Sequence, residues 1–391
     1  MLFRDDLNAM AKKIRAKVFG ACDREAHAIV STDPAHVGYL CGYRSIILDA
    51  MREYRCAVIA TREKAVLITG ASDAAPALEV IRDPACIYRY GVFYVEASGG
   101  DVDYTALPKA ESTFFDALKR GVAALVQPRH LVGLDGENPW EIEQLKNLVG
   151  NNSFDARPAI VKARHTKLPE EIERLGRAAA VTEAGMEEAF RHAAFGVSEI
   201  ELSTLVANKI RGGGGIPRLL SVSSGQRSAL ADTYATTAKL AKGDLLRLDI
   251  ACTVDGYWAD TARTAVIGPA DSVQQERYEA LLDGELEQLR MAKAGIMAAE
   301  LFNVAINRVR EGALPNYRRN HCGHGIGISV HEFPQLNGAN DKVPIEDGMV
   351  LCVETPYYEV GWGGMMVEDM IVIKNGGNEQ LTHMPRELRV L

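Results

Sequence analysis

Gly243–Thr264 reads GDLLRLDIACTVDGYWADTART. Strand-forming residues lie on both sides of Asp255-Gly256, a dipeptide suited to a two-residue hairpin turn in which both central residues take positive φ. The stretch therefore predicts strand, turn, strand. Asp249 sits among leucines and isoleucine in LLRLDIA, and Asp260 sits on the other arm. Residues on the two arms of a hairpin meet across a shared face, so the two aspartates can face each other.

Around this hairpin, apolar residues at helical spacing in SEIELSTLVANKIRGG and QQERYEALLDGELEQLRMAKAG alternate with strand patterns such as MVLCVETPYYEV. That mixture predicts an α+β domain whose antiparallel strands are lined on one side by helices. The first part of the chain differs. DLNAMAKKIRAKVFGACDREA, FFDALKRGVAALV and PWEIEQLKNLVG read as helices, the last with Pro139 in its first turn. HAIVST, CAVIATREKAVLIT and HLVGLDG read as strands. This is an α/β pattern. A polar hinge between Arg157 and Lys167 precedes a long helix that opens on Pro169, Glu170 and Glu171. The expected domains are residues 1–160 and 161–391.

With 391 residues, 47% hydrophobic and 25% charged, the chain has ordinary globular composition and room for two cores. The formal net charge is −8 and no basic block stands out, which argues against a nucleic-acid partner. Seven cysteines without CxxC spacing point to reduced thiols and a cytoplasmic protein. The N-terminus mixes charge with apolar residues and lacks the apolar core of a signal peptide. No apolar run is long enough to span a membrane.

NHCGHGIGISVHEFP, Asn320–Pro334, sets histidines among glycines. A dinucleotide fingerprint needs a helix after its glycines. Here ISVHEFPQL follows, short and interrupted by Pro334. The glycines around His324 fit a close backbone approach to a crowded site better. GGGG at Gly212–Gly215 lacks the GK[ST] ending of a P-loop and reads as a connection between helix and strand.

Asp249 and Asp260, His324 in CGHGIG, Glu354 in LCVETP and Glu368 in MMVEDM all fall on expected strands or strand ends. Singly, each aspartate could pair with Arg247 or Arg263, and a lone histidine is usually structural. Together they are harder to dismiss. Carboxylates buried in apolar strands are costly unless a cation compensates them. Four carboxylates and one imidazole form a hard, oxygen-rich set suited to a pair of divalent ions, manganese first, with cobalt, iron or zinc as alternatives.

GDLLRLDIACTVDGYWADTART, CGHGIGISVHEFP, MVLCVETP and VED, in this order, resemble the signature of the pita-bread metallopeptidases: methionine aminopeptidase, aminopeptidase P, prolidase and creatinase. STDPAHVGYLCGYRS resembles the creatinase-type N-terminal domain of aminopeptidase P and prolidase, so the resemblance covers the whole chain. It implies an α/β N-terminal domain followed by an α+β pita-bread catalytic domain with a curved antiparallel sheet. It implies that Asp260 and Glu368 bridge two metals, with Asp249 on one and His324 and Glu354 on the other. Glu354 would also shuttle a proton. His331 would donate a hydrogen bond to the substrate carbonyl, or else be a structural histidine at a strand end. A homodimer is implied too, with the aromatics of RYGVFYVEASGG in an interface or lid, or in a buried core strand.

Three positions depart from the Xaa-Pro peptidase pattern. Asp232 and Asn320 stand where histidines are expected, and Met366 where an arginine is common. Asp232 either holds an amine or guanidinium group of the substrate or caps a turn. The chemistry expected is hydrolysis of a peptide or amide C–N bond, as in Xaa-Pro aminopeptidase or dipeptidase. The alternative is a creatinase-like or ectoine-hydrolase-like amidohydrolase acting on a small non-peptide metabolite.

Overall fold

The computed structural model describes residues 4–51, 53–96 and 104–391. The chain divides into two compact units, Met1–Arg164 and His165–Leu391.

In the first unit, short apolar runs such as AIVS and AVIA are buried along their whole length, as in a sheet covered on both faces. The strands are β1 (Ala28–Ser31), β2 (Ala57–Ala60), β3 (Ala65–Gly70), β4 (Ile87–Tyr90), β5 (Val132–Asp135) and β6 (Ser153–Asp155), in spatial order β4-β3-β2-β1-β5-β6. β1 pairs parallel with β5 and antiparallel with β2, so the sheet is mixed. Val30, Ile59, Ile68, Leu118 and Leu134 share one core. Helices begin where side chains satisfy their free N–H groups: Asn138 Oδ1 accepts from Glu141 N at 3.0 Å, and Pro139 follows it. The expected hinge contains a helix of its own, Arg157–His165. Beyond β4, Phe93 and Tyr94 are exposed, not buried in a core strand, and residues 97–100 of the same stretch lie outside the described residues.

Asp135, at the end of β5, is fully buried. It accepts from Ser31 Oγ at 2.5 Å, meets His36 Nδ1 at 2.8 Å and pairs with Arg157 Nε at 3.0 Å.

The second unit holds β7 (Ile216–Ser224), β8 (Leu245–Val254), β9 (Tyr257–Val266), β10 (Gly323–Gly325), β11 (Glu332–Gln335), β12 (Val350–Glu354), β13 (Tyr357–Glu359), β14 (Gly363–Met365), β15 (Glu368–Lys374), β16 (Gly377–Gln380) and β17 (Arg389–Val390). The main sheet runs β11-β10-β12-β15-β9-β8-β7, with β16 beside β15 and β17 beside β9; β13 and β14 pair separately. Asp255 and Gly256 take φ of 52° and 81°, the turn expected between β8 and β9. Helices Ser272–Met291 and Ala298–Glu311 cover one face, where Leu289 and Leu301 pack on Leu351, Val353, Ile371 and Ile373. Each such side chain contributes about 1.5–3 kcal/mol on burial. Gly212–Gly215 links helix Glu199–Gly212 to β7.

The glycines of CGHGIG have a steric reason. A Cβ on Gly323 (φ +132°) would lie 2.2 Å from the Cys352 carbonyl oxygen, and one on Gly325 would lie 2.4 Å from that of Phe333. Bare backbone at both positions lets β10 carry His324 between β11 and β12.

Candidate metal centre

Strand alternation and register decide where the five candidate ligands point. His324 is opposite Cys352, two residues from Glu354 on β12. Glu354 is opposite Glu368. Glu368 is opposite Ala262, which is itself opposite Asp249, and Asp260 is opposite Ala251. Opposed residues, and residues two apart on a strand, share a face. His324, Glu354, Glu368, Asp260 and Asp249 therefore line one face from five consecutive strands, β10, β12, β15, β9 and β8. This is the face turned away from the helices that pack on Leu351 and Ile371. None of the five is more than 8% exposed.

Asp249, Asp260 and Glu368 each offer an oxygen within 4.8 Å of the others, and His324 Nε2 lies 3.9 Å from Glu368 Oε1. His324 Nδ1 is 3.0 Å from the Gly325 carbonyl oxygen, which fixes the proton there and leaves the Nε2 lone pair free. Asp260 Oδ1 and Glu368 Oε2 are buried without a hydrogen-bond partner among the described residues. Such atoms are costly in a dry site unless something positive meets them.

The electrostatics agree. Burial, reinforced by the charges of Asp249 and Glu354, raises the Asp260 carboxyl well above its usual range. Burial and the charges of Asp260 and Glu354 do the same to Glu368. Burial pushes Asp249 up to about 6 against the pull of Arg247. Glu354 is the exception. Burial raises it, but His321, His324 and Arg319 outweigh that and hold it below the ordinary glutamate value. Burial and His331 lower His324 to about 4, keeping the imidazole neutral as a ligand requires. Crowded carboxylates with orphaned oxygens, beside a neutral imidazole, fit divalent cations.

His331 is exposed, and its ring stacks on that of His324 with centroids 3.8 Å apart. Asp232 is also exposed; its side chain makes no hydrogen bond among the described residues, and its charge acts on both Asp249 and His331. Asn320 is exposed and makes no described contact with the cluster. Met366 is buried, and its sulfur accepts from Tyr358 Oη at 3.7 Å.

Sequence reasoning gave three neighbours too little weight. His321 Nδ1 lies 2.9 Å from Glu354 Oε1, though not aligned as a hydrogen bond. Arg247, two residues before Asp249 and hence on its face, pairs with Asp249 Oδ2 at 3.1 Å; strand periodicity was the available signal. Arg263 lies on the opposite face, where Nη2 binds Asp369 Oδ1 at 2.7 Å while Nη1 donates to the Glu368 carbonyl oxygen. Cys352 shares the site face, but burial and the nearby carboxylates keep it a protonated thiol.

Fold and site together define a metallohydrolase with its centre on a curled antiparallel sheet. The model of metallopeptidase family M24 matches residues 173–375, more than half the chain, and the chain belongs to that family. Among similar proteins, the Xaa-Pro dipeptidase of Pyrococcus horikoshii is 29% identical over 284 residues, 72% of this chain and 78% of that protein. The Xaa-Pro dipeptidase of Lactobacillus helveticus is 27% identical over 290 residues, 66% of this chain and 78% of that protein. Among solved structures, an Xaa-Pro dipeptidase from Bacillus anthracis aligns with a TM-score of 0.76 at 25% identity, over 97% of this chain and 100% of that one. Prolidase from Pyrococcus furiosus aligns with a TM-score of 0.74 at 22% identity, over 95% and 100%, a likeness of the pita-bread fold. No helix among the described residues is long and apolar enough to cross a membrane.

Proposed function

We propose that this chain is a dinuclear metal-dependent peptidase that hydrolyses the bond preceding proline, acting as an Xaa-Pro dipeptidase or aminopeptidase. The observation that carries the proposal is the single sheet face on which five consecutive strands set Asp249, Asp260, His324, Glu354 and Glu368, with buried carboxylate oxygens left unpartnered. The donor set favours manganese, with cobalt, iron or zinc as alternatives. Asp249, Asp260, His324, Glu354 and Glu368 would hold the ions between them. Bound there, divalent ions supply Lewis acidity, acidifying water and polarising the scissile carbonyl.

The chain's own residues do the rest. Glu354, kept ionised beside His321, is suited to take a proton from the attacking water and hand it to the leaving nitrogen. His331, exposed beside His324, is placed to donate to the oxyanion that develops on the substrate. Asp232 and Asn320 would contact substrate, Asp232 as an acceptor for a cationic group. Residues 1–160 would form the creatinase-type N-terminal domain and residues 161–391 the catalytic domain. Seven cysteines without disulfide partners support a reducing, cytoplasmic setting, and the resemblance to aminopeptidase P and prolidase supports a homodimer.

The non-peptide amidohydrolase reading is not favoured, because the similar proteins described above are Xaa-Pro dipeptidases. The test is metal content after purification without chelator, with a manganese-reconstituted assay on Gly-Pro and Ala-Pro-Ala. About two ions per chain with cleavage is the expected result. Two ions without cleavage of either peptide would overturn the peptidase assignment and leave the metal centre.

A further inference from the structure

Arg247 is the largest fully buried side chain among the described residues, and it lies on the site face of β8. Its hydrogen bonds go in two directions. Nη1 donates to Asp249 Oδ2 at 3.1 Å. Nε donates to the Ser228 carbonyl oxygen at 3.0 Å, and Nη2 to those of Leu230 at 2.8 Å and Ala231 at 2.7 Å, with Ser221 Oγ at 3.3 Å. The Tyr358 ring covers the guanidinium, with its centroid 5.3 Å from Cζ. The segment so fastened ends at Ala231, and the next residue is Asp232, exposed and without a hydrogen bond among the described residues. A carboxylate that is free to pair but held by a fixed backbone is what recognition of a cation requires.

We propose that Arg247 is a positioning residue for specificity, clamping Ser228–Ala231 to the candidate ligand Asp249 so that Asp232 meets a cationic first residue of the substrate. The proposal rests on the peptidase reading and deepens it by naming a substrate class, Xaa-Pro dipeptides in which Xaa is lysine or arginine. A lysine at 247 keeps the charge but has no planar fork to span the carbonyls and the carboxylate at once, so Arg247→Lys restores only part of the effect.

The experiment compares Lys-Pro with Leu-Pro on manganese-loaded wild type, Asp232→Asn, Arg247→Lys, Arg247→Met and the Arg247→Met/Asp232→Asn double variant, with metal content matched. Wild type should favour Lys-Pro, through KM, by about two- to fivefold, as expected for one solvent-facing charge pair. Asp232→Asn should remove that preference, Arg247→Met should remove it equally, and the double variant should lose no more than either alone. Arg247→Lys should sit between wild type and Arg247→Met, and it also serves if the methionine variant fails to fold. Fully additive losses, or a uniform fall in kcat with the Lys-Pro preference intact, would overturn the proposal. Titrating both dipeptides into the metal-free proteins by calorimetry reads selectivity without turnover. A wild type that binds them selectively but cleaves neither refutes the peptidase reading alone, whereas equal affinities refute the clamp.

Discussion

Glu354 and Glu368 stand directly opposite one another on β12 and β15, both buried and on the same face. Like charges in opposed positions destabilise a sheet, and burial in a dry site magnifies the conflict. The protein without metal is therefore strained at this pair, and cation binding there should relieve that strain. Chelation should lower Tm. In the chelated state Glu368→Gln should be more stable than wild type by about 1–2 kcal/mol, or about 3–6 °C in a unit of this size. With metal restored the order should reverse. Calorimetric scans with and without chelator test this, and a chelated variant that melts below chelated wild type would refute it.

His324 and His331 stack, yet the proposed roles separate them. Asp260→Ala and His324→Ala should abolish metal loading and turnover together. His331→Ala should keep its metal and lose about 10²–10³ in kcat, the usual cost of removing one donor to a developing oxyanion. Elemental analysis beside the kinetics distinguishes them. An empty site in His331→Ala would make His331 a ligand, which its reach to Asp260 and His324 leaves sterically open.

Much of the centre was legible because strand periodicity is a local signal. The Asp255-Gly256 turn and the aspartates on its arms placed β8 and β9 before any contact was known. Glu354 and Glu368 announced themselves as acids in apolar strands. What stayed hidden depends on register across strands distant in sequence. Nothing in NHCGHG shows that His321 would reach Glu354, because the chain bends just before a three-residue strand. Arg247 and Arg263 looked equivalent as partners for the aspartates. Only the pleat, odd against even across the β8–β9 register, sends one to the site and the other to Asp369. The helix Arg157–His165 was missed because its four apolar residues, Ala159, Ile160, Val161 and Ala163, sit between Pro158 and charged residues and set no clear helical period.

Gly323 tests the steric argument for the glycine run. At φ +132° an L-residue is strained, and the Cβ would meet the Cys352 carbonyl oxygen at 2.2 Å, on backbone that cannot swing aside. Gly323→Ala should cost about 3 kcal/mol or more and weaken metal binding by displacing His324. Denaturant titration and metal affinity check this together. A variant with wild-type stability and metal content would show that the run is not set by backbone approach.

Asp135 gives the first unit its own pH dependence. Burial pushes its carboxyl up, but the hydrogen bond and charge of His36, the Ser31 hydroxyl and the charge of Arg157 outweigh that and hold it below the usual aspartate value. Because the folded value lies below the unfolded one, the folded state binds protons less readily. The resulting stability is present above about pH 4 and is lost as pH falls through the folded value. Asp135→Asn at pH 7 should cost about 3 kcal/mol, moderated because Arg157 is partly exposed. The gap between variant and wild type should then close as pH falls below about 4. Urea denaturation of both proteins across that range reads the gap directly. A gap that stays constant with pH would mean that Asp135 acts through shape and hydrogen bonding alone, not through its charge.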